Sequence, residues 1–159
     1  MNLHEWIEQH RDDLKIEEPK ASGVADLLAV AAREIGDAES VLSDDGRLEH
    51  AFAACLAISA AMLAASGYRT RHGALAHHFL LIESLQYTVG ITSAEANELQ
   101  LYRQKRSRSM YERVGLVSET EARAALDAAR RLRKVATVWL TREHPGLAPL
   151  TLDASGTGP

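Results

Sequence analysis

The stretch of this chain best equipped for chemistry reads RQKRSRSMYER, residues 103–113. It sets Arg103, Lys105, Arg106, Arg108 and Arg113 against one acid, Glu112, a local charge of +4. The whole chain carries a formal −4, so everything outside this stretch sums to −8. A basic segment on an acidic protein attracts phosphate, and arginine grips a phosphate through parallel N–H donors. A solvated helix face has the same composition. Tyr102 and Tyr111 bracket the run, placed either to stack on a base or to pack at the edge of a core.

A second group is Arg71, His72, His77 and His78, within RTRHGALAHH. A metal site needs three or four converging ligands. Neighbouring His77 and His78 point about 100° apart on a helix, which turns them away from a common ion. No metal or other cofactor is therefore expected. The histidines are left as caps, as surface or core contacts, or as accessories to the basic segment. No glycine-rich phosphate loop appears, because the glycines are scattered singly with no strand leading into them. No serine sits in a nucleophile elbow. The single cysteine, Cys55, lies in an apolar run and reads as a small buried hydrophobe. One cysteine permits no internal disulfide, which fits a reducing, cytoplasmic compartment.

The elements that must carry these groups are helices. With 46% apolar but only 5% aromatic residues, the core must be Ala, Leu, Val and Ile, which suits closely packed helices. The punctuation predicts helices over about Leu3–Leu14, Ser22–Glu39, Asp45–Ser66 and Ala74–Thr88. Two capping boxes, Thr92-Ser93-Ala94-Glu95 and Ser118-Glu119-Thr120-Glu121, open a fifth helix to about Glu112 and a sixth to about Arg142. No segment shows sustained strand alternation. Short connections favour antiparallel neighbours, so the expected fold is a soluble, all-α antiparallel bundle of four to six helices. Residues 1–145 form one domain, and 146–159, rich in Gly, Pro, Ser and Thr, read as a flexible tail. The N-terminus lacks a signal-peptide pattern. The longest apolar run, Ala51–Ala65, falls short of the roughly 18–20 residues that span a bilayer, so no membrane partner is expected.

Arg106-Ser107-Arg108-Ser109-Met110-Tyr111, on a basic late helix, resembles the motif of the HEPN (higher eukaryotes and prokaryotes nucleotide-binding) superfamily. That motif is Arg, a polar residue, then His or sometimes Tyr a few residues on. GYRTRHGALAHHFLLIESL and SETEARAALDAARRLRKVATVWL resemble the connecting and closing helices of its actinobacterial-type branch, so the likeness spans about Ser22 to Leu140. The resemblance implies a homodimer that binds RNA or nucleotides, with two motifs facing one cleft. It also implies a metal-independent endoribonuclease of a toxin–antitoxin or defence system. In that chemistry Arg106 holds the scissile phosphate, Ser107 orients its neighbours and the residue at the His position, here Tyr111, moves a proton. Arg103, Lys105, Arg108 and Arg113 would flank the phosphates. Tyr ordinarily titrates near pH 10 against about 6.5 for His, so Tyr111 is a poor general base. Two alternatives stay open. One is a non-catalytic partner of a small nucleotidyltransferase, with a motif tyrosine as the modified residue. The other is a helical interaction module, with an antitoxin or other protein as partner. Arg71 followed by His77 matches the Arg-to-His spacing too, but across a loop and a helix start.

Overall fold

The computed structural model describes residues 1–72 and 76–149, with the side chains of residues 110 and 111 outside the description. Six helices and one short ladder follow in the order α1 (Leu3–Gln9), β1 (Leu14–Ile16), α2 (Ala21–Ser40), α3 (Asp44–Ala65), β2 (Tyr68–Thr70), α4 (His77–Ser84), α5 (Ser93–Tyr111) and α6 (Glu119–Glu143). The protein is an all-α helical bundle.

Its axis is α3. Phe52, Ile58, Met62 and Leu63 are fully buried, and Ala51, Ala54, Ala57, Ala61 and Ala65 fill the positions between them. Alanine at so many positions lets α2, α4, α5 and α6 all approach this one helix. Each fully buried large apolar side chain contributes about 1.5–3 kcal/mol. Ser59 interrupts the apolar run without penalty, because its hydroxyl donates to the Cys55 carbonyl at 2.7 Å. Cys55 is enclosed, and burial pushes its thiol up to about 12. α3 is long and apolar enough to cross a membrane, but 67% of its apolar window is buried inside the bundle.

α6 supplies the other large apolar stripe, with Ala122, Ala125, Leu126, Ala129, Leu132, Ala136, Trp139 and Leu140 at helical spacing. Both expected capping boxes form. Thr92 Oγ1 accepts from the Glu95 amide at 3.1 Å, and Ser118 Oγ accepts from Glu121 at the same distance. Gly115, at φ +81°, makes the left-handed turn between α5 and α6.

Two elements differ from the sequence expectation. The first helix stops at Gln9, not near Leu14, because Leu14–Ile16 pair antiparallel with Tyr68–Thr70, Leu14 opposite Thr70. This three-residue ladder is too short to show alternation, and its strands lie far apart in sequence. α4 begins at His77 rather than near Ala74 and ends at Ser84 rather than near Thr88. A satellite core of Trp6, Ile7, Leu14, Leu63, Leu80 and Leu81 holds the N-terminal segment and α4 against α3. Trp6 Nε1 donates to Glu83 Oε2 at 3.0 Å within it. After α6, Pro145–Leu147 form a 3-10 turn, and Leu147 and Ala148 pack against the main core. The rest of the expected tail, from residue 150, lies outside the described residues.

Candidate functional site

The basic residues of α5, and Arg113 just beyond its end, do not share one environment. Arg103 and Arg106, one turn apart, face the junction with α3 and α4. The Arg103 guanidinium lies 5.8 Å from the Phe79 ring centre, and its Nε donates to Gln100 Oε1 at 2.8 Å. Arg106 is half-buried and lies 5.8 Å from the ring centre of Phe52 on α3. Lys105 points elsewhere, to Glu121 of α6 at 3.3 Å. Arg108 and Arg113 are exposed, as is Ser107. The Tyr111 side chain lies outside the described atoms, so its expected convergence with Arg106 is not part of this geometry. Tyr102 takes the packing alternative: it lies against the core and donates to Glu98 Oε1 at 2.6 Å. Burial and then the Glu98 carboxylate push its pKa well up.

Arg106 is poorly satisfied. Its Nε is buried with no hydrogen-bond partner among the described residues, and its Nη2 lies 3.8 Å from Glu49 Oε1. That is an ion pair but too long for a good charge-assisted hydrogen bond. His78 shares the Phe52 ring with it, edge-on at 6.4 Å between centres. Burial, then the charges of His77, Arg106 and Arg103, hold the His78 pKa below its ordinary 6.5. A neutral imidazole therefore stands beside a half-buried guanidinium.

The two adjacent histidine rings stay close, 5.2 Å between centres and inclined at 46°, yet each meets a different partner. His77 Nδ1 lies 2.6 Å from Thr70 Oγ1. Burial lowers its pKa as well. It joins Arg71 and His72 on the wall of a cavity of about 640 Å³ between the start of α2, α3 and the β1–β2 ladder. The four accessory residues expected from the sequence thus divide: Arg71, His72 and His77 line the cavity, and His78 joins Arg106.

Sequence reasoning did not single out Glu49 or Phe52, which define the Arg106 environment, nor Lys20, Gly23 and Thr70 at the cavity. Nothing local marks them, since each belongs to a site only through packing between helices. The same holds for Glu34, Asp37 and His50, whose ligand atoms lie within 4.8 Å of one another. Glu34 is already engaged by His50 Nδ1 at 2.7 Å and Arg33 Nη2 at 3.0 Å. Burial alone would raise the Glu34 pKa, but those two partners outweigh it and lower it. Glu34 is thus already held by hydrogen bonds from its own helix and from α3. Compared with protein-family models, curated proteins and solved structures, the chain matches none of them.

Proposed function

We propose that this protein binds the phosphates of RNA or of a nucleotide at Arg106, with His78 beside it as the group that moves a proton. The supporting observation is the state of the Arg106 guanidinium: half-buried, its Nε lacking an acceptor, its Nη2 held only loosely by Glu49. A buried N–H left unpaired costs about 1–3 kcal/mol, and a half-exposed carboxylate at that range returns little. A phosphate offers two oxygens to one guanidinium and makes good both deficits. Arg103, one turn earlier, adds a second positive charge.

The same pair suits metal-independent RNA cleavage. His78, neutral near pH 7, takes the proton of a ribose 2′-hydroxyl. The O2′–P bond forms as the P–O5′ bond breaks, and water protonates the leaving oxygen. Arg106 stabilises the charge that builds on the phosphate. His78 then fills the acid–base role for which Tyr111 is poorly suited. The likeness to HEPN motifs supports this reading and, with it, a homodimer in which two such sites face one another.

The test is titration of a short single-stranded RNA by fluorescence anisotropy at fixed, moderate salt, since phosphate affinity depends on salt. Arg106→Ala should weaken binding by at least about tenfold and Arg113→Ala by much less, because exposed charges contribute less than about 1 kcal/mol. Equal losses, or none, would reduce the basic segment to a solvated helix face. Incubation of RNA with a chelator present tests the chemical step. His78→Gln should remove cleavage while sparing affinity, and a parent protein that leaves RNA intact confines the function to binding.

A further inference from the structure

The cavity beside His77 is independent of the Arg106 reading. Its volume, about 640 Å³, lies within the range of roughly 300–1,000 Å³ typical of small-molecule sites. Its inner wall is apolar: Val24 and Leu27 of α2, and Ala60 and Ala64 of α3. Its polar groups gather on the side of the ladder and the α2 start, as Lys20, Arg71, His72 and His77. Two further charges there neutralise each other, for Arg69 Nε lies 2.7 Å from Glu17 Oε2. That leaves Lys20 and Arg71 against Glu18, a net positive rim. When Thr70 donates to His77 Nδ1, the other ring nitrogen carries the hydrogen and is left as a donor.

An apolar pocket with donors and surplus positive charge at one edge selects a molecule with an apolar body and one anionic head. We infer that this cavity binds a small organic carboxylate, its hydrocarbon part against α2 and α3 and its carboxylate at Lys20 and Arg71.

Gly23 makes the inference testable. It lines the cavity in the first turn of α2, and a Cβ built on it meets no atom within 4 Å. A larger side chain there can enter the open space without a backbone clash. Its φ lies outside the left-handed region, so replacement brings no strain and improves helix propensity.

The experiment is calorimetric titration of the full chain with octanoate, with 1-octanol as the same body lacking charge and inorganic phosphate as an anion lacking the body. Octanoate should bind saturably, one per chain, with octanol and phosphate each several-fold weaker, since each lacks one of the two parts that the apolar wall and the exposed Lys20 and Arg71 recognise. Gly23→Phe should abolish octanoate binding with an unchanged circular dichroism spectrum. Should Gly23→Phe fold poorly, Arg71→Ala, an exposed replacement, should still weaken octanoate by roughly two- to fivefold and leave octanol unaffected. Octanol binding as tightly as octanoate overturns the inference. So does full octanoate affinity in well-folded Gly23→Phe, or in Arg71→Ala, or an absence of octanoate binding in the parent protein.

Discussion

His77 and His78 occupy consecutive positions with their rings 5.2 Å apart, yet one also meets the Thr70 hydroxyl and the other two guanidinium groups and an aromatic ring. Burial is the first cause of the lowered pKa in both. That has a consequence for stability. Where the folded pKa lies below the unfolded 6.5, the unfolded chain binds more protons in the interval between them. The contribution of these histidines is then fully present above pH 6.5 and is lost as pH falls from 6.5 through the folded pKa. Carboxylates with lowered pKa values, Glu34, Glu95 and Glu121, lose theirs only below 4.5, in a separate window. The urea midpoint should therefore drop between about pH 7.5 and about pH 5.5. The double variant His77→Gln/His78→Gln should show a smaller drop. An identical drop in parent and variant would mean that other groups carry the acid sensitivity.

At the scale of elements, helix starts carry most of what is locally written. The Thr92 and Ser118 boxes are satisfied within four residues of chain, so their hydrogen bonds do not depend on the rest of the fold. The consequence of losing them does. α6 packs along α3 through nine buried residues. Ser118→Ala leaves the first-turn amide of Glu121 without its acceptor and should cost about 1 kcal/mol, roughly 2–4 °C in melting temperature for a chain of this size. Ser118→Asp, which restores an acceptor at the helix start, should recover most of it. Calorimetric melting of the three proteins decides the matter, and an unchanged Ser118→Ala melt would show that the helix end is held by packing alone. α4 illustrates the opposite case. It has no side-chain cap, and its start at His77 is set by the Thr70 contact and by Leu80, Leu81 and Ile82 meeting the core.

For the molecule as a whole, the open question is whether two copies work together. Leu101 is 63% exposed on α5, and Arg108, seven residues later, returns to nearly the same side of that helix. Arg106, five residues on, lies about 140° around the helix, so Leu101 tests a contact between the α5 helices of two chains separately from the Arg106 site. Sedimentation at micromolar concentration should give two chains per particle, and Leu101→Glu should shift it to one. A single chain for the parent protein removes the shared cleft and leaves each Arg106 site to act alone.

The sequence by itself determined the all-α class, the presence of six helices and the Thr92 and Ser118 caps. Those rest on spacings of three and four residues and on side chains meeting backbone one turn away. It also marked Cys55 as a buried hydrophobe. It did not reveal the ladder, since Leu14 and Thr70 pair across two intervening helices, α2 and α3, and three residues are too few for alternation to register. It grouped Arg103, Lys105, Arg106, Arg108 and Arg113 as one basic patch. Only the packing of α5 against α3, α4 and α6 divided them, giving Lys105 to Glu121, Arg103 to Phe79 and Arg106 to Phe52, Glu49 and the vicinity of His78. Proximity between helices depends on the side-chain volumes that set how closely their axes approach. Here the alanines of α3 allow that approach, and no local spacing in the chain encodes it.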